Sequence, residues 1–273
     1  MPGIRKTDHG PRGGRPLVLI HGFAACLEFW DKQLPYLADR GFRVIRLDLP
    51  GHGGSAMPRD GEFSAETISK AVVEMMDESG IERAALVGHS AGGGLAQAVF
   101  HRFPERVYGL CLVSTSACAV KKYKEQPDGA WHVSLSVSQY MKWLLASPAA
   151  FFFHGPLRRL LPTQLPGVFG PGFPDEEARY WMELILSTSR TTVMRMLPAI
   201  RGFDATAGLG NISVPTLIFH GKADNIVPWT HSSYMAAMIP EAELHLLPDV
   251  GHMVMAERPE FFNETLAEWA ERV

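Results

Sequence analysis

The chain has 273 residues, of which 46% are hydrophobic and 20% are charged, and its formal net charge at pH 7 is −3. This length allows one large α/β domain, with or without an insertion, that buries a substantial core. The small negative charge provides no electrostatic footprint for nucleic acid or for an anionic membrane. The one basic cluster, at Lys121, Lys122 and Lys124, is interpreted as a solvated segment. We therefore expect neither nucleic acid nor a membrane as a partner.

The cysteines and the N-terminal segment indicate a reduced, cytoplasmic protein. Cys26, Cys111 and Cys118 form no Cys-x-x-Cys pair and have no zinc-ligand spacing. The apolar run at residues 17–20 is too short for the core of a signal peptide, and no segment reaches the length of a membrane span. The histidines lack His-Glu-x-x-His spacing, which argues against a metal site. Secretion of a processed form of the chain stays open.

From residue 17 onward, short apolar strands alternate with amphipathic helices. Near-continuous apolar strands in this arrangement are typical of a mostly parallel sheet that helices cover on both faces. Ser64 is predicted to cap the second helix, and Pro104 follows the third. The predicted strands are residues 17–20, 43–47, 84–87, 107–113, 216–219 and 243–247, and the predicted helices are residues 27–40, 65–79, 93–103, 231–238 and 259–272.

Residues 117–210 interrupt this alternation and are predicted to form an inserted helical lid. Open α/β sheets bind ligands at their carboxyl edge, so we expect the lid to lie over that edge. The predicted domains are a core of residues 1–116 and 211–273 and a cap of residues 117–210. The cap contains two apolar stripes at helical spacing, which are Val133, Val137, Tyr140, Met141, Leu144 and Leu145, and Ala178, Trp181, Met182, Ile185 and Leu186.

The motif Gly88-His89-Ser90-Ala91-Gly92 directly follows a predicted strand and precedes a predicted helix. The two glycines remove side chains that would clash where a strand turns sharply into a helix, and such a turn exposes the serine hydroxyl in a cleft. The motif alone is weak because it also occurs by chance, but the strand–turn–helix context supports it. Ser90 is therefore the candidate nucleophile.

A serine nucleophile needs a base and an acid that orients the base. His252 follows the last predicted strand after a glycine, and Asp224 follows the strand at residues 216–219. Asp48 and Asp249 are weaker candidates for the acid. Asp48 ends a strand on the other side of the serine, and Asp249 is too close in sequence to His252 to face it. Asp224 is therefore the predicted acid and His252 the predicted base.

Two backbone amides are predicted to stabilise the oxyanion that the serine creates. The N–H of Ala91 directly follows the nucleophile, and the N–H of Phe23 follows His21-Gly22 at the end of the first predicted strand. His21 itself is interpreted as a support for this loop and not as a reacting group.

Together these motifs resemble the α/β-hydrolase superfamily, specifically its single-domain branch with a helical cap. The resemblance covers nearly the whole chain, and it implies a triad of Ser90, Asp224 and His252 that works without a cofactor. Members usually have a strand or hairpin before the strand that ends in His-Gly. Here only residues 1–16, rich in glycine, proline and charge, precede it, so we expect the first strand to be missing or rudimentary and the sheet to have six or seven strands. The motifs are His21-Gly22, Asp48-Leu49-Pro50-Gly51-His52-Gly53, the serine motif, Asp224 and His252, in this order.

The resemblance implies hydrolysis of carboxylic esters through an acyl-enzyme, and the apolar lid favours a small apolar ester with a hydrophobic acyl or alkyl group. Haloalkane dehalogenases and epoxide hydrolases have aspartate at the nucleophile position, so Ser90 argues against both. Carbon–carbon bond hydrolases of this fold often have tryptophan after the catalytic histidine, where this chain has methionine, so they are a weaker alternative. A ligand receptor or lyase that keeps the triad is also open, and the protein is expected to be a monomer or homodimer. The predicted substrate-binding residues are Met141, Trp143, Phe152, Trp181, Met182 and Met253.

Overall fold

The computed structural model describes residues 3–59, 63–127, 129–135 and 168–273. Its main sheet has seven strands in the order β1-β3-β2-β4-β5-β8-β9. Only β1 is antiparallel to its neighbour, so the prediction of a mostly parallel sheet with six or seven strands is confirmed. The strands are β1 (Lys6–His9), β2 (Pro16–Ile20), β3 (Arg43–Leu47), β4 (Ala84–His89), β5 (Val107–Val113), β8 (Thr216–Gly221) and β9 (Ala242–Leu247), with β6 (Lys121–Glu125) and β7 (Trp131–Leu135) in a separate two-stranded sheet.

The first strand is a four-residue edge strand, in agreement with the expectation of a rudimentary one. It pairs with β3, and the Asp8 carboxylate lies 2.6 Å from the guanidinium of Arg43. Its side chains are polar and partly exposed, so it lacks the apolar signal that identified the other strands.

The central strand of the sheet, β4, is fully buried between β2 and β5. Ile20 pairs with Gly88 and Val113 pairs with His89, so β2, β4 and β5 end at the same level of the sheet. Val113 also pairs with Phe219 of β8. The carboxyl ends of four parallel strands therefore lie side by side at one edge.

Helices cover both faces of the sheet, as predicted. The second helix begins after Ser64, whose hydroxyl accepts the Thr67 N–H while the Thr67 hydroxyl accepts the Ser64 N–H, each at 3.1 Å. This capping box fixes the start that the sequence predicted. The helices are α1 (Leu34–Asp39), α2 (Ala65–Glu78), α3 (Ala91–Arg102), α4 (Asp175–Ser187), α5 (Arg190–Gly202), α6 (Thr230–Met238), α7 (Val254–Glu257) and α8 (Pro259–Arg272).

The continuous helix predicted at residues 27–40 is wrong, because the chain forms a 3₁₀ turn at Leu27–Trp30 and then the separate helix α1. Pro35 lies in the first turn of α1, where its missing N–H costs no hydrogen bond. The N–H of Leu27 is bound by the Asp48 carboxylate at 2.7 Å, which holds the turn against the β3 end.

The prediction of a helix around Val133 is also wrong, because β6 and β7 form an antiparallel pair. The alternating side chains of this pair pack on α6. Tyr123 stacks on Tyr234 with ring centroids 4.1 Å apart, and Trp131 meets the same ring edge-on. These contacts with a distant helix override the helical spacing of the local sequence. The other members of that stripe, Val137, Tyr140, Met141, Leu144 and Leu145, lie outside the described residues.

The second predicted stripe is confirmed. Ala178, Trp181 and Met182 lie in α4 and are buried. Within the described part of the chain, no helix is both long and apolar enough to cross a membrane.

Candidate active site

Ser90 occupies a sharp turn between β4 and α3, with φ 52° and ψ −119°. A positive φ is unusual for a residue with a side chain, and such strain is typical of functional turns. The flanking glycines are required by close backbone contacts. A Cβ on Gly88 would lie 2.4 Å from the Gly92 carbonyl oxygen, and a Cβ on Gly92 would lie 2.4 Å from the Ile20 carbonyl oxygen. The sequence therefore folds into the turn geometry that the motif predicts.

Hydrogen bonds hold this turn in place. The N–H of Ser90 donates to the Val113 carbonyl at 2.8 Å. The carbonyl of Ser90 accepts the Thr115 hydroxyl at 2.5 Å and the Gly93 N–H at 3.0 Å. Since the strained backbone is fixed from β5 and from α3, the serine side chain starts from a defined position.

Asp224 and His252, which are 28 residues apart in sequence, meet at the carboxyl edge of the sheet. His252 Nδ1 lies 2.7 Å from Asp224 Oδ2, and both side chains are buried. Asp224 Oδ1 accepts the N–H groups of Ile226 and Val227 at 2.7 and 2.9 Å. Burial by itself would raise the pKa of Asp224, but His252 and His220 outweigh it and hold the pKa below its usual value. An ionised Asp224 accepts the Nδ1 proton, which leaves the Nε2 lone pair of His252 available as a base.

His89 links the histidine loop to the serine turn. Its Nε2–H donates to the His252 carbonyl at 3.0 Å, and the two imidazole rings are 4.7 Å apart. The N–H of His252 donates to the Val168 carbonyl at 2.9 Å. The ring of His252 therefore packs against the residue that immediately precedes Ser90. The hydrogen bonds among the described residues join Asp224 to His252 but do not include one from the Ser90 hydroxyl to His252.

A second histidine also binds the carboxylate of Asp224. His220 Nε2 lies 3.1 Å from Asp224 Oδ2 and 2.8 Å from the Val227 carbonyl oxygen. The hydroxyl of Ser232 lies 2.6 Å from His220 Nδ1. Because Nε2 must donate to the carbonyl oxygen, Nδ1 is the acceptor and Ser232 is its donor. Neither His220 nor Ser232 was predicted from the sequence, where the one signal was the location of His220 at the end of a strand.

The two predicted oxyanion donors flank the serine. A Cβ on Gly22 would lie 3.1 Å from the Ser90 Cβ, so the turn that carries Phe23 passes directly against Ser90. Phe23 and Ala91 both line the same cavity as Ser90. Among the described residues, neither of their backbone N–H groups donates a hydrogen bond. Both amides are therefore free to bind an oxyanion.

Buried polar side chains support the Phe23 turn. His21 Nδ1–H donates to the Gly22 carbonyl at 2.8 Å, and its Nε2 accepts the Leu49 N–H at 2.9 Å. The carboxylate of Asp48 accepts the Gly54 N–H at 2.8 Å and contacts the Arg5 guanidinium at 2.9 Å. His21 is thus a support for the loop, as predicted, and Asp48 has a structural role.

The cavity beside Ser90 is largely apolar. Side chains from α2, α3, α5 and the residue that follows α5 line it, among them Ile68, Leu95, Met196, Ile200 and Phe203. These residues were not predicted as ligand contacts, because apolar helical periodicity is the same for a core face and for a binding face.

The structure does not bring the predicted substrate-binding residues Trp181, Met182 and Met253 to this cavity. All three are buried in the hydrophobic core, where Trp181 meets Phe29 edge-on with centroids 5.3 Å apart. Their apolar character is accounted for by packing of α4 and α7 against the sheet. The other predicted contacts, Met141, Trp143 and Phe152, lie outside the described residues.

In the part of the chain that the structure describes, no group of three or more histidine, cysteine, aspartate or glutamate side chains is arranged to hold a metal ion. The three cysteines are buried and form no disulfide. Burial and the neighbouring Glu28 raise the pKa of the Cys26 thiol, and burial raises the pKa of Cys111, so neither is an activated thiol.

Comparison with known proteins supports the same fold and chemistry. The family model for the alpha/beta hydrolase fold matches residues 15–259. The chain is 30% identical to a pimeloyl-[acyl-carrier protein] methyl ester esterase from Nitrosomonas europaea, over 95% of each chain. It is also 30% identical to a 2-hydroxymuconate semialdehyde hydrolase from a Pseudomonas species, over 93% of this chain and 86% of that protein.

The fold is similar to that of an esterase from Exiguobacterium antarcticum, with a TM-score of 0.83 and 24% identity over 98% of this chain and 95% of that one. The family and the relatives named above support hydrolase activity, although the relatives' names refer to different reactions. Since the family model matches most of the sequence, the chain belongs to the family of the alpha/beta hydrolase fold.

Proposed function

We propose that this protein is a serine hydrolase that cleaves carboxylic esters through an acyl-enzyme on Ser90. The observation that carries the proposal is the 2.7 Å hydrogen bond between Asp224 and His252, held beside the strained serine turn. A buried carboxylate, an imidazole and an exposed hydroxyl at one sheet edge match the roles of acid, base and nucleophile.

The reaction takes place in two steps. His252 Nε2 accepts the proton of the Ser90 hydroxyl as the oxygen attacks the ester carbonyl, and the N–H groups of Phe23 and Ala91 bind the resulting oxyanion. The tetrahedral intermediate collapses, and the imidazolium gives its proton to the departing alcohol. A water molecule then loses a proton to His252 and attacks the acyl group. As this second intermediate collapses, the imidazolium returns the proton to the Ser90 oxygen, and the carboxylic acid leaves. The first step requires contact between Ser90 Oγ and His252 Nε2, and catalytic hydrogen bonds of this kind often tighten only when substrate binds.

The lining of the cavity supports a hydrophobic acyl or alkyl group. Met196 and Ile200 belong to α5 and Phe203 directly follows it, so all three lie within residues 117–210. Side chains from α2 and α3 line other parts of the cavity. This contribution from the inserted segment supports our proposal that residues 117–210 form a cap over the site. An apolar chain that leaves water for such a surface gains about 0.8 kcal/mol per buried CH₂ group.

A carbon–carbon bond hydrolase is the second candidate, because the 2-hydroxymuconate semialdehyde hydrolase is as similar to this chain as the methyl ester esterase is. Such an enzyme would use the same three side chains. Parallel assays with p-nitrophenyl esters and with ring-fission ketones distinguish the two, and turnover of the ketones alone would reject the esterase assignment.

Labelling with a fluorophosphonate tests whether Ser90 is activated without a choice of substrate. We expect mass spectrometry to locate one adduct on Ser90, with no labelling of the Ser90→Ala variant. Ser116 also lines the cavity, so Ser116→Ala is a matched control that keeps the label. An adduct at another serine, or none, contradicts the proposed function. If Ser90→Ala abolishes hydrolysis but keeps a ligand response, the biological role is that of a receptor.

In the assay with p-nitrophenyl esters, the rate of hydrolysis should increase from the acetate to esters with longer acyl chains. A preference for acetate over octanoate would count against an apolar acyl site.

A further inference from the structure

His231 is a buried polar residue in the wall of the apolar cavity. It lies in the first turn of α6 and is 4% exposed, and its side chain lines the cavity that contains Ser90. The proposed mechanism gives it no role, since the base is His252 and the carboxylate of Asp224 is bound by His252 and His220.

No hydrogen bond to the imidazole of His231 comes from the part of the chain that the structure describes. Its Nδ1 is buried and unpaired, and the described part of the chain provides no hydrogen bond to the other ring nitrogen. Buried polar groups are nearly always paired in folded proteins, because an unpaired one loses its interaction with water without compensation. An exception in the wall of a ligand cavity is therefore accounted for by a ligand that supplies the missing partner.

The ring is held in a defined orientation. It meets the ring of Tyr123 edge-on, with centroids 4.9 Å apart, and Tyr123 in turn stacks on Tyr234. The backbone N–H of His231 donates to the Pro228 carbonyl at 3.0 Å. Because aromatic packing and a backbone turn fix the imidazole, its nitrogen atoms can position a ligand instead of moving with it.

The imidazole is neutral under ordinary conditions. Burial lowers the pKa of His231 to about 4, and the neighbouring His220 acts in the same direction. A neutral ring offers one N–H donor and one lone pair, which match an oxo or hydroxyl oxygen better than they match a hydrocarbon or a full charge.

Ser90, Thr115 and Ser116 are the other polar residues that line the cavity. Ser90 is the nucleophile, and the Thr115 hydroxyl is committed to the Ser90 carbonyl at 2.5 Å. The walls from α2, α3 and α5 are apolar. A substrate that fits this arrangement is an apolar chain with one polar oxygen at the position of His231.

We propose that His231 is a specificity-determining residue that hydrogen-bonds an oxo or hydroxyl oxygen on the otherwise apolar acyl chain of the substrate. The preferred substrates are then esters of oxo- or hydroxy-substituted fatty acids. This inference rests on the proposed ester hydrolysis by Ser90.

The test compares esters that differ only in the oxygen. The kcat and KM of the protein are measured with p-nitrophenyl 5-oxohexanoate and hexanoate, and with 6-oxoheptanoate and heptanoate. The variants are His231→Phe, which keeps a ring without nitrogen, and His231→Gln, which restores a donor and an acceptor. His245→Phe is a matched control, because His245 lies among Phe219 and Phe261 and does not line the cavity.

We expect the wild-type protein to prefer an oxo ester over its plain counterpart in kcat/KM. His231→Phe should lower this preference about tenfold, mainly through KM, as expected when a polar group loses its buried partner. The plain esters should change less than about threefold, and His231→Gln should recover most of the preference while His245→Phe keeps all of it.

An unchanged preference in His231→Phe, or an equal loss for oxo and plain esters, overturns the specificity role and leaves the esterase assignment intact. If no ester is hydrolysed and Ser90 takes no fluorophosphonate label, the proposed function fails and the inference fails with it.

Discussion

Acidification from pH 7 to pH 5 should lower the free energy of unfolding of this protein, and its buried histidines should determine the size of the loss. Burial is the main cause that lowers the pKa of His52 and His231 from 6.5 to about 4 and that of His89 to about 3. Each folded-state pKa is below the unfolded value, so the unfolded chain binds more protons between these two values. The stabilisation is therefore complete above pH 6.5 and is lost as the pH falls toward 4.

The size of the loss follows from proton linkage. One histidine with an unfolded pKa of 6.5 and a folded pKa of about 4 contributes a loss of somewhat under about 1 kcal/mol between pH 7 and 6 and about 2 kcal/mol between pH 7 and 5. Three such residues give about 2 kcal/mol at pH 6 and between about 5 and 6 kcal/mol at pH 5. His21, with a lowered pKa, adds to this loss, and Glu257, whose pKa is raised by burial, opposes it.

Urea-induced unfolding at pH 7, 6 and 5, followed by tryptophan fluorescence at constant ionic strength, measures the effect. A total stability of about 5–15 kcal/mol is usual, so most or all of it should be lost by pH 5. His52→Gln should reduce the loss between pH 7 and 5 by about 2 kcal/mol, whereas the exposed His9→Gln should leave it unchanged. A free energy of unfolding that is the same at pH 7 and pH 5 would refute the reasoning.

The sequence was sufficient to predict those parts of the candidate site that lie at the ends of buried strands. All six predicted strands form, because their apolar runs are the main source of core burial. Asp224 and His252 follow two adjacent parallel strands, β8 and β9, so their meeting at one edge was a consequence of topology. The turn at Ser90 was predictable for a similar reason, since its glycines are required by backbone contacts.

Features that arise from contacts between distant segments were not predictable. The strands β6 and β7 form in a segment with helical spacing, because Tyr123 and Trp131 pack on Tyr234 more than 100 residues away in sequence. The His220–Ser232 pair joins a strand end to the first turn of α6, and a serine in that position has no distinguishing pattern. The residues that line the cavity were likewise not predictable, because they depend on which apolar helix faces remain uncovered after the helices pack.

Three substitutions test the separate parts of the site. Asp224→Asn should lower kcat for p-nitrophenyl esters about 10⁴-fold, since an amide favours the wrong tautomer of the imidazole, and an effect below tenfold would exclude its role as the acid. Ser232→Ala removes the donor to His220, so kcat should fall about tenfold with little change in KM; an unchanged kcat would show that His220 does not orient Asp224. Gly92→Ala is expected to be the most disruptive, because its Cβ would lie 2.4 Å from a carbonyl oxygen of β2 and neither backbone can move without displacing the serine turn. The cost should reach about 3 kcal/mol, which thermal unfolding detects as a lower Tm. Gly13→Ala is the control, because its Cβ would meet nothing within 4 Å. If Gly92→Ala has the same Tm and kcat as Gly13→Ala, the close approach of β2 to the turn is not the reason that position 92 requires a glycine.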